Sequence, residues 1–201
     1  MCPHWKILSG RRGIMRGSTT DEHDRFVAFN DQLKKLAESE PLKEIDRKSP
    51  QSLQVMNFHL IFEFLIEQWI NFKLNKGVSL FSGIEKIGFN NKLYIAKNIG
   101  LPKEIFKALD TVNRERNSFA HNIFKKTIAR AKINEIAELA DSIQATGGEF
   151  NRLGVYIEGS LFYAKNIECE NTLLNLALTA LKDKIRNYVF IDIYHETSHP
   201  I

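Results

Sequence analysis

The sequence predicts an all-α fold, a bundle of helices that carries one small β-hairpin near residues 153–165. Hydrophobic residues make up 43% of the 201 residues and charged residues 26%, so the chain is long and apolar enough to build a core. Only 5 prolines and 11 glycines are present, which argues against a disordered chain and against a sandwich with many tight turns. Along most of the chain, apolar residues recur at spacings of three and four, which is typical of amphipathic helices.

Two long helices are predicted in the first part of the chain. The first runs from about Thr20 to Ser39. The second begins at Pro50, and its apolar residues cover more than one side, so we expect it to be the central element. We expect His59, on this helix, to be a buried residue with a hydrogen-bond partner rather than a ligand. The main apolar face of the first helix consists of Phe26, Phe29, Leu33 and Leu36. That of the second helix consists of Val55, Phe58, Phe62, Leu65, Trp69 and Phe72.

Three further helices are predicted in the middle of the chain. The second helix ends at 75–77, and residues 89–100 form a short helix with Gly100 as its C-terminal stop. Leu101-Pro102 begins the next helix. A further helix covers 129–145 and is broken by Gly147-Gly148.

The last part of the chain mixes two kinds of pattern. Apolar residues alternate around Gly159-Ser160, which favours a small hairpin and leaves a helix as the alternative. A last amphipathic helix runs roughly over 170–188. Whether residues 147–170 cap the bundle or cover a cleft stays open.

The predicted domain organisation has three parts. Residues 1–18 form a basic arm, residues 19–190 one helical domain, and residues 191–201 a polar C-terminal tail. The arm has no clear periodicity and is interpreted as a flexible segment, a leader upstream of a start at Met15, or residues added by cloning.

The charge and the cysteine content limit which binding partners and which cellular compartment are expected. The formal net charge of +4 and the pI near 9.0 fit a partner that carries phosphates, although proteins without such a partner can be equally basic. Cys2 and Cys169 cannot form a disulfide framework or a four-ligand zinc site, so we expect a reducing, cytoplasmic location. No run of about eighteen apolar residues predicts a membrane span.

The helix that begins near Pro102 carries a charged residue on its apolar side. Ile105, Leu109 and Val112 begin a stripe at helical spacing that continues to Phe119 and Ile123, and Arg116 lies in the middle of it. Turning a guanidinium toward a core or a partner costs several kcal/mol unless the charge is paired. We therefore expect Arg116 to have a stabilising partner.

A polar row runs beside that stripe. Asn113, Asn117 and His121 are four residues apart, so Asn117 is placed to hydrogen-bond and orient the imidazole of His121. Arg116 and His121 differ by about 140° around a straight helix, so their convergence needs a bent helix end or a second copy across a twofold axis. Basic residues that extend the positive charge toward flanking phosphates are Arg114, Lys125, Lys126 and Arg130.

The segment Arg116-Asn117-Ser118-Phe119-Ala120-His121 resembles the R-x-x-x-x-H signature of the HEPN superfamily, with the Asn after Arg and the Ala before His that are common there. Phe89, Lys92, Ala96 and Gly100-Leu101 resemble the helix and turn that lead into this motif in several HEPN-like families. The likeness spans roughly Val55 to His121.

This resemblance implies a HEPN-like helical bundle, a homodimer, and metal-independent cleavage of RNA with no cofactor. His121 would be the acid or base, Arg116 would stabilise the phosphorane charge, and Asn117 would be a positioning residue. A toxin or antiphage effector that cleaves host RNA, with an antitoxin or regulatory protein as partner, fits this family. Ile123 stands where one toxin subgroup has a tyrosine that is nucleotidylated, so that regulation is not expected.

The main alternative is a noncatalytic HEPN-like module that binds a protein or a nucleic acid, in which Arg116 and His121 only stabilise a dimer. A helical transcription regulator would need a short turn and a basic recognition helix that the sequence lacks. Arg186-Asn187 repeats the first two residues of the motif, but Ile191 stands five residues after Arg186.

The segment His195-Glu196-Thr197-Ser198-His199 matches the H-E-x-x-H zinc signature. A zinc protease is not expected, because His199 precedes Pro200 and the residue before proline is disfavoured in helical geometry. We expect no metal site.

Overall fold

The computed structural model describes residues 27–28, 31–32, 34–35, 49–74, 87–122, 124–145, 148–157 and 160–198. The six described residues of the first predicted helix are helical and exposed. Its apolar face, the arm over 1–18 and the helix end over 75–77 lie outside the described residues.

From residue 49 onward, the described residues contain five α-helices and one two-stranded sheet. The helices are α1 (Gln51–Lys73), α2 (Phe89–Asn98), α3 (Lys103–His121), α4 (Arg130–Ser142) and α5 (Glu170–Ser198). The strands β1 (Gly154–Ile157) and β2 (Ser160–Tyr163) are antiparallel, and a 3₁₀ turn lies on either side of them. The predicted all-α fold with a small hairpin is confirmed.

Four of the helices form a closed ring. α1 packs against α3, α3 against α4, α4 against α5, and α5 against α1, while α2 lies against both α1 and α3. α1 also contacts three of the other helices, as its apolar residues on several sides predicted. Its core side chains Val55, Phe62, Leu65, Ile66, Trp69 and Ile70 are fully buried.

Proline and glycine set the helix boundaries that position α3. Pro50 and Pro102 immediately precede α1 and α3, where a fixed φ and a missing N–H cost nothing. After α2, Gly100 has φ of +106°, and the amide of Leu101 donates to the carbonyl of Ala96 at 2.9 Å. This glycine-terminated turn ends α2 and reverses the chain into α3, as predicted.

The segment between α4 and α5 packs on the bundle through a few buried side chains. Phe150, Ala164 and Ile167 are buried, and the carboxylate of Asp141 on α4 accepts a hydrogen bond from the amide of Phe150 at 2.8 Å. The hairpin pairs Tyr156 with Leu161 and Val155 with Phe162. The hairpin interpretation of this segment is therefore confirmed, and the helical alternative is wrong.

The last helix is longer than predicted. α5 continues to Ser198, whereas the sequence pattern placed its end near Tyr188 and a polar tail at 191–201. Val189 and Ile193 continue the buried face, and the carboxylate of Asp192 accepts a hydrogen bond from the indole N–H of Trp69 at 2.8 Å. The bond from Trp69 therefore ties this end of α5 to α1.

Replacing Leu65, which is fully buried on α1, by alanine should lower the free energy of unfolding by about 2–5 kcal/mol. The same substitution at Leu60, which is 54% exposed on the same helix, should change it by less than about 0.5 kcal/mol. Urea denaturation of both variants measures the difference. Equal destabilisation by the two substitutions would contradict the placement of α1 in the core.

Candidate functional site

The R-x-x-x-x-H segment forms the C-terminal part of α3. Ile105, Leu109 and Val112 are buried on the inner side of this helix, and Phe119 packs partly buried against the core. Arg116 and Asn117 are half-buried, whereas His121, the last residue of the helix, is exposed. The motif therefore runs from the edge of the core out to the surface.

Arg116 is stabilised by a neutral neighbour. Its Nη1 donates a hydrogen bond to Oδ1 of Asn117 at 3.0 Å. Within the part of the chain that the structure describes, no carboxylate pairs with the guanidinium. An amide satisfies one N–H of the five and leaves the positive charge uncompensated, so the group remains able to bind an anion.

His121 does not meet Arg116 within one chain. The amide of Asn122 still donates to the carbonyl of Ser118 at 3.1 Å, so α3 keeps α-helical hydrogen bonding to its last residue. On such a helix the two side chains leave the axis about 140° apart. Of the two predicted routes to convergence, a bent helix end is therefore absent here.

The polar row that was predicted along α3 divides into an inner and an outer part. Asn113 is buried, and its Oδ1 accepts a hydrogen bond from Nε2 of His59 on α1, at 3.2 Å. Asn117 bonds to Arg116, and His121 has no hydrogen bond to any described residue. The prediction that Asn117 orients the imidazole has no counterpart within a single chain.

His59 is a satisfied core residue, as expected. Its ring lies 4.3 Å from that of Phe89, centroid to centroid. Burial lowers the pKa of His59 below its usual value, helped by the positive charges of Arg116 and Lys92 and opposed by the hydrogen bond to Asn113 and by Glu63. The imidazole is therefore neutral at neutral pH.

An ion cluster that the sequence analysis did not identify joins α1 to α2. The ammonium of buried Lys92 lies 2.5 Å from a carboxylate oxygen of Glu63 and also contacts Glu67. Burial opposes the charge of Lys92, but the two carboxylates outweigh it and raise its pKa. The signal was present, because His59, Glu63 and Glu67 lie four residues apart and form a polar stripe on an otherwise apolar helix.

The four cations that were predicted to bind phosphates differ in whether other groups of the chain already engage their side chains. Lys125 lies 2.6 Å from Glu115 and 3.0 Å from the hydroxyl of Ser118. Arg130 donates to the carbonyls of Ile167 and Glu168, which ties α4 to the chain before α5.

The remaining two cations are on the surface. Arg114 pairs with Asp110 at 2.6 Å, although its side chain is 77% exposed. Lys126 is exposed and has no partner among the described residues. Arg114 and Lys126 are therefore better placed than Lys125 and Arg130 to contact a phosphate.

The Arg116–Asn117 pair has a second occurrence in the molecule. On α5, Nη2 of Arg186 donates to Oδ1 of Asn187 at 3.4 Å, but Arg186 is exposed and also pairs with Asp183. Arg116 differs from Arg186 in three ways. Its side chain is half-buried, it has no carboxylate partner among the described residues, and a histidine follows it five residues later.

No protein-family model matches the sequence, and neither a curated protein nor a solved structure matches it. Among the described residues, no group of three or more histidine, cysteine, aspartate or glutamate side chains is arranged to hold a metal ion. His199 of the H-E-x-x-H segment lies outside those residues. None of the described helices combines the length and the apolar character needed to cross a membrane.

The neutral state of His59 predicts a pH-dependent stability. Because its pKa is lowered in the folded chain, the unfolded chain takes up a proton first as the pH falls. The stabilisation from this group is complete above its usual pKa of about 6.5 and is lost as the pH falls toward the folded value.

His59→Gln removes the titrating group and keeps an amide that can donate to Asn113. Unfolding free energies from urea denaturation between about pH 7.5 and pH 5 should fall less steeply for this variant than for the wild type. Parallel curves for the two proteins would show that His59 is not a buried neutral histidine.

Proposed function

We propose that this protein is a HEPN-like, metal-independent endoribonuclease that acts as a homodimer in the cytoplasm. The observation that carries the proposal is Arg116, a half-buried guanidinium that donates to a neutral amide, has no carboxylate partner among the described residues and lies five residues before an exposed histidine on the same helix. A structural arginine in this position is expected to have a carboxylate partner. An arginine that serves a phosphate is expected to lack one.

The chemistry requires only these side chains and the RNA itself. The 2′-hydroxyl of a ribose attacks the neighbouring phosphorus and loses its proton to an imidazole, while the 5′-oxygen leaves with a proton from an imidazolium. The products are a 2′,3′-cyclic phosphate and a 5′-hydroxyl end. His121 supplies the proton transfers and Arg116 stabilises the charge that develops on the phosphorane oxygens. Asn117 holds the guanidinium in its orientation through its hydrogen bond.

Two copies are required because one helix cannot bring both groups to the same phosphate. With α3 helices facing each other across a twofold axis, Arg116 of each chain approaches His121 of the other. The dimer then has two such sites, each with one Arg116 and one His121, and the imidazole that takes the proton of the 2′-hydroxyl gives it, as the imidazolium so formed, to the leaving 5′-oxygen. Exposed Arg114 and Lys126 contribute contacts to the flanking phosphates.

The biological role that fits this activity is that of a toxin or antiphage effector acting on host RNA and held in check by an antitoxin or regulatory protein. The supporting argument is the HEPN resemblance of the motif, since nothing in α3 itself selects one RNA.

Incubating the purified protein with total RNA in excess EDTA tests the activity. The wild type should produce discrete fragments that carry cyclic phosphate ends, and His121→Ala and Arg116→Ala should each lower the cleavage rate by roughly a hundredfold or more. Arg186→Ala is the matched control, because it removes the same hydrogen-bonded pair with asparagine elsewhere on the surface. It should cleave like the wild type.

Thermal unfolding of all four proteins separates loss of chemistry from loss of fold. Fragments that persist in both motif variants would come from a contaminating nuclease and would contradict the assignment of Arg116 and His121.

A second function is a noncatalytic HEPN-like module that binds a protein or a nucleic acid. The engagement of Lys125 and Arg130 within the chain favours it, because these cations stabilise the fold instead of waiting for phosphates. Intact RNA after incubation with the wild type, together with lowered melting temperatures for both motif variants, would select this function over the nuclease.

A further inference from the structure

The turn that follows α3 presents an aromatic ring to solvent. Phe124 is 85% exposed, more than any other large hydrophobic residue in the described part of the chain. A phenylalanine in water forgoes the free energy that burial would provide.

The backbone around this ring is fixed by hydrogen bonds. The side-chain oxygen of Asn122 accepts from the amide of Phe124, and the carbonyl of Asn122 accepts from the amide of Lys125, both at 3.0 Å. Further along, the amide of buried Ile128 donates to Oε1 of Gln51 at 2.6 Å.

The side chain after Phe124 holds the turn against α3. The ammonium of Lys125 binds Glu115 and Ser118 and lies 4.9 Å from the centre of the Phe119 ring. Because the side chain of Lys125 folds inward and its amide is bonded to the carbonyl of Asn122, the preceding ring is directed outward. The exposure of Phe124 is thus a consequence of the turn's own bonding.

The ring lies close to the candidate site. Phe124 follows His121 by three residues, so their Cα atoms are no more than about 11 Å apart. Between residues 114 and 126 the sequence has four basic residues and one acidic residue, and the acidic one is paired with Lys125. Lys126 next to the ring is exposed and unpaired among the described residues.

We propose that Phe124 is a stacking platform for an unpaired base of the RNA whose phosphate is held by Arg116 and His121, with Lys126 contacting the adjoining backbone. This inference rests on the proposed function and names its substrate class, a single-stranded segment such as a loop. An exposed aromatic face beside cations is the arrangement that binds single strands, because every base offers a planar face. A duplex hides those faces in its own stack.

A protein partner fits the turn less well. The centre of a protein interface is depleted of charged residues and is formed by a contiguous apolar patch. Along the chain, Ile123 and then Asn122 precede Phe124, and the two cations Lys125 and Lys126 follow it. An exposed ring two positions before an exposed cation, Lys126, matches the alternation of base and phosphate instead.

Binding of a fluorescent single-stranded oligoribonucleotide of mixed sequence to full-length His121→Ala protein, followed by anisotropy, tests the inference without requiring cleavage. Adding Phe124→Ala should weaken binding roughly 5- to 100-fold, and Phe124→Trp should restore it. The matched control is Phe190→Ala, the same change at a ring that is 38% exposed on α5, which should leave binding unchanged. A duplex of the same sequence should bind more weakly and should not respond to Phe124→Ala.

Each contrary result has a distinct reading. Equal binding by the Phe124→Ala protein and its parent, or no binding by either, would overturn the platform. A loss of dimer in sedimentation velocity for Phe124→Ala would overturn it in favour of a protein contact. If binding depends on Phe124 but the wild type cleaves no RNA, the stacking platform is upheld and the nuclease is refuted. If the wild type cleaves RNA but binding does not depend on Phe124, the nuclease is upheld and the stacking platform is refuted.

Discussion

The structure of the candidate site depends on one constraint, a guanidinium held half-buried with no negative partner in the part of the chain that the structure describes. α3 must turn its apolar stripe toward the bundle, and Arg116 lies within that stripe, so its charge is partly removed from water. The hydrogen bond to Asn117 satisfies part of its donor capacity and none of its charge. A negative ligand brought to this position would complete the pairing, and the proposed function assigns that role to a phosphate.

The helices beneath Arg116 give it a rigid support. One turn before Arg116, Asn113 is bonded to His59 across the α1–α3 interface, and the Lys92 cluster joins α1 to α2 nearby. The bond between His59 and Asn113 is buried, so shifting α3 along α1 would leave a donor and an acceptor unsatisfied inside the core. A reactive group on a helix that is held in register is better positioned than one on a loop. Asn113 thus contributes to the site from the inside, although the sequence pattern placed it in the same row as the outer residues.

Local sequence signals predicted most of the helix boundaries, but they could not predict which residues distant in the sequence form hydrogen bonds or ion pairs. Pro50, Pro102 and Gly100 act through their own backbone chemistry, so their positions alone indicated where helices begin and end. The bond between His59 and Asn113 joins residues 54 positions apart, and no spacing rule predicts it. The end of α5 was placed too early, near Tyr188, and the bond of Asp192 to Trp69, 123 positions away in the sequence, exists only in the folded bundle. Lys125 was predicted from the sequence to face a phosphate. Its ion pair with Glu115 could not be predicted, because that pair exists only once the turn after α3 has formed.

The central claim is that Arg116 of one copy acts with His121 of another, and complementation between two inactive variants measures this most directly. Arg116→Ala and His121→Ala proteins, each inactive alone, are mixed in equal amounts under conditions that exchange subunits, and RNA cleavage is followed in EDTA. Half of the dimers are then mixed, and each mixed dimer has one site with both groups, so about a quarter of the wild-type rate should return. Subunit exchange without any return of cleavage, from a wild type that does cleave, would show that the two groups do not act across the dimer.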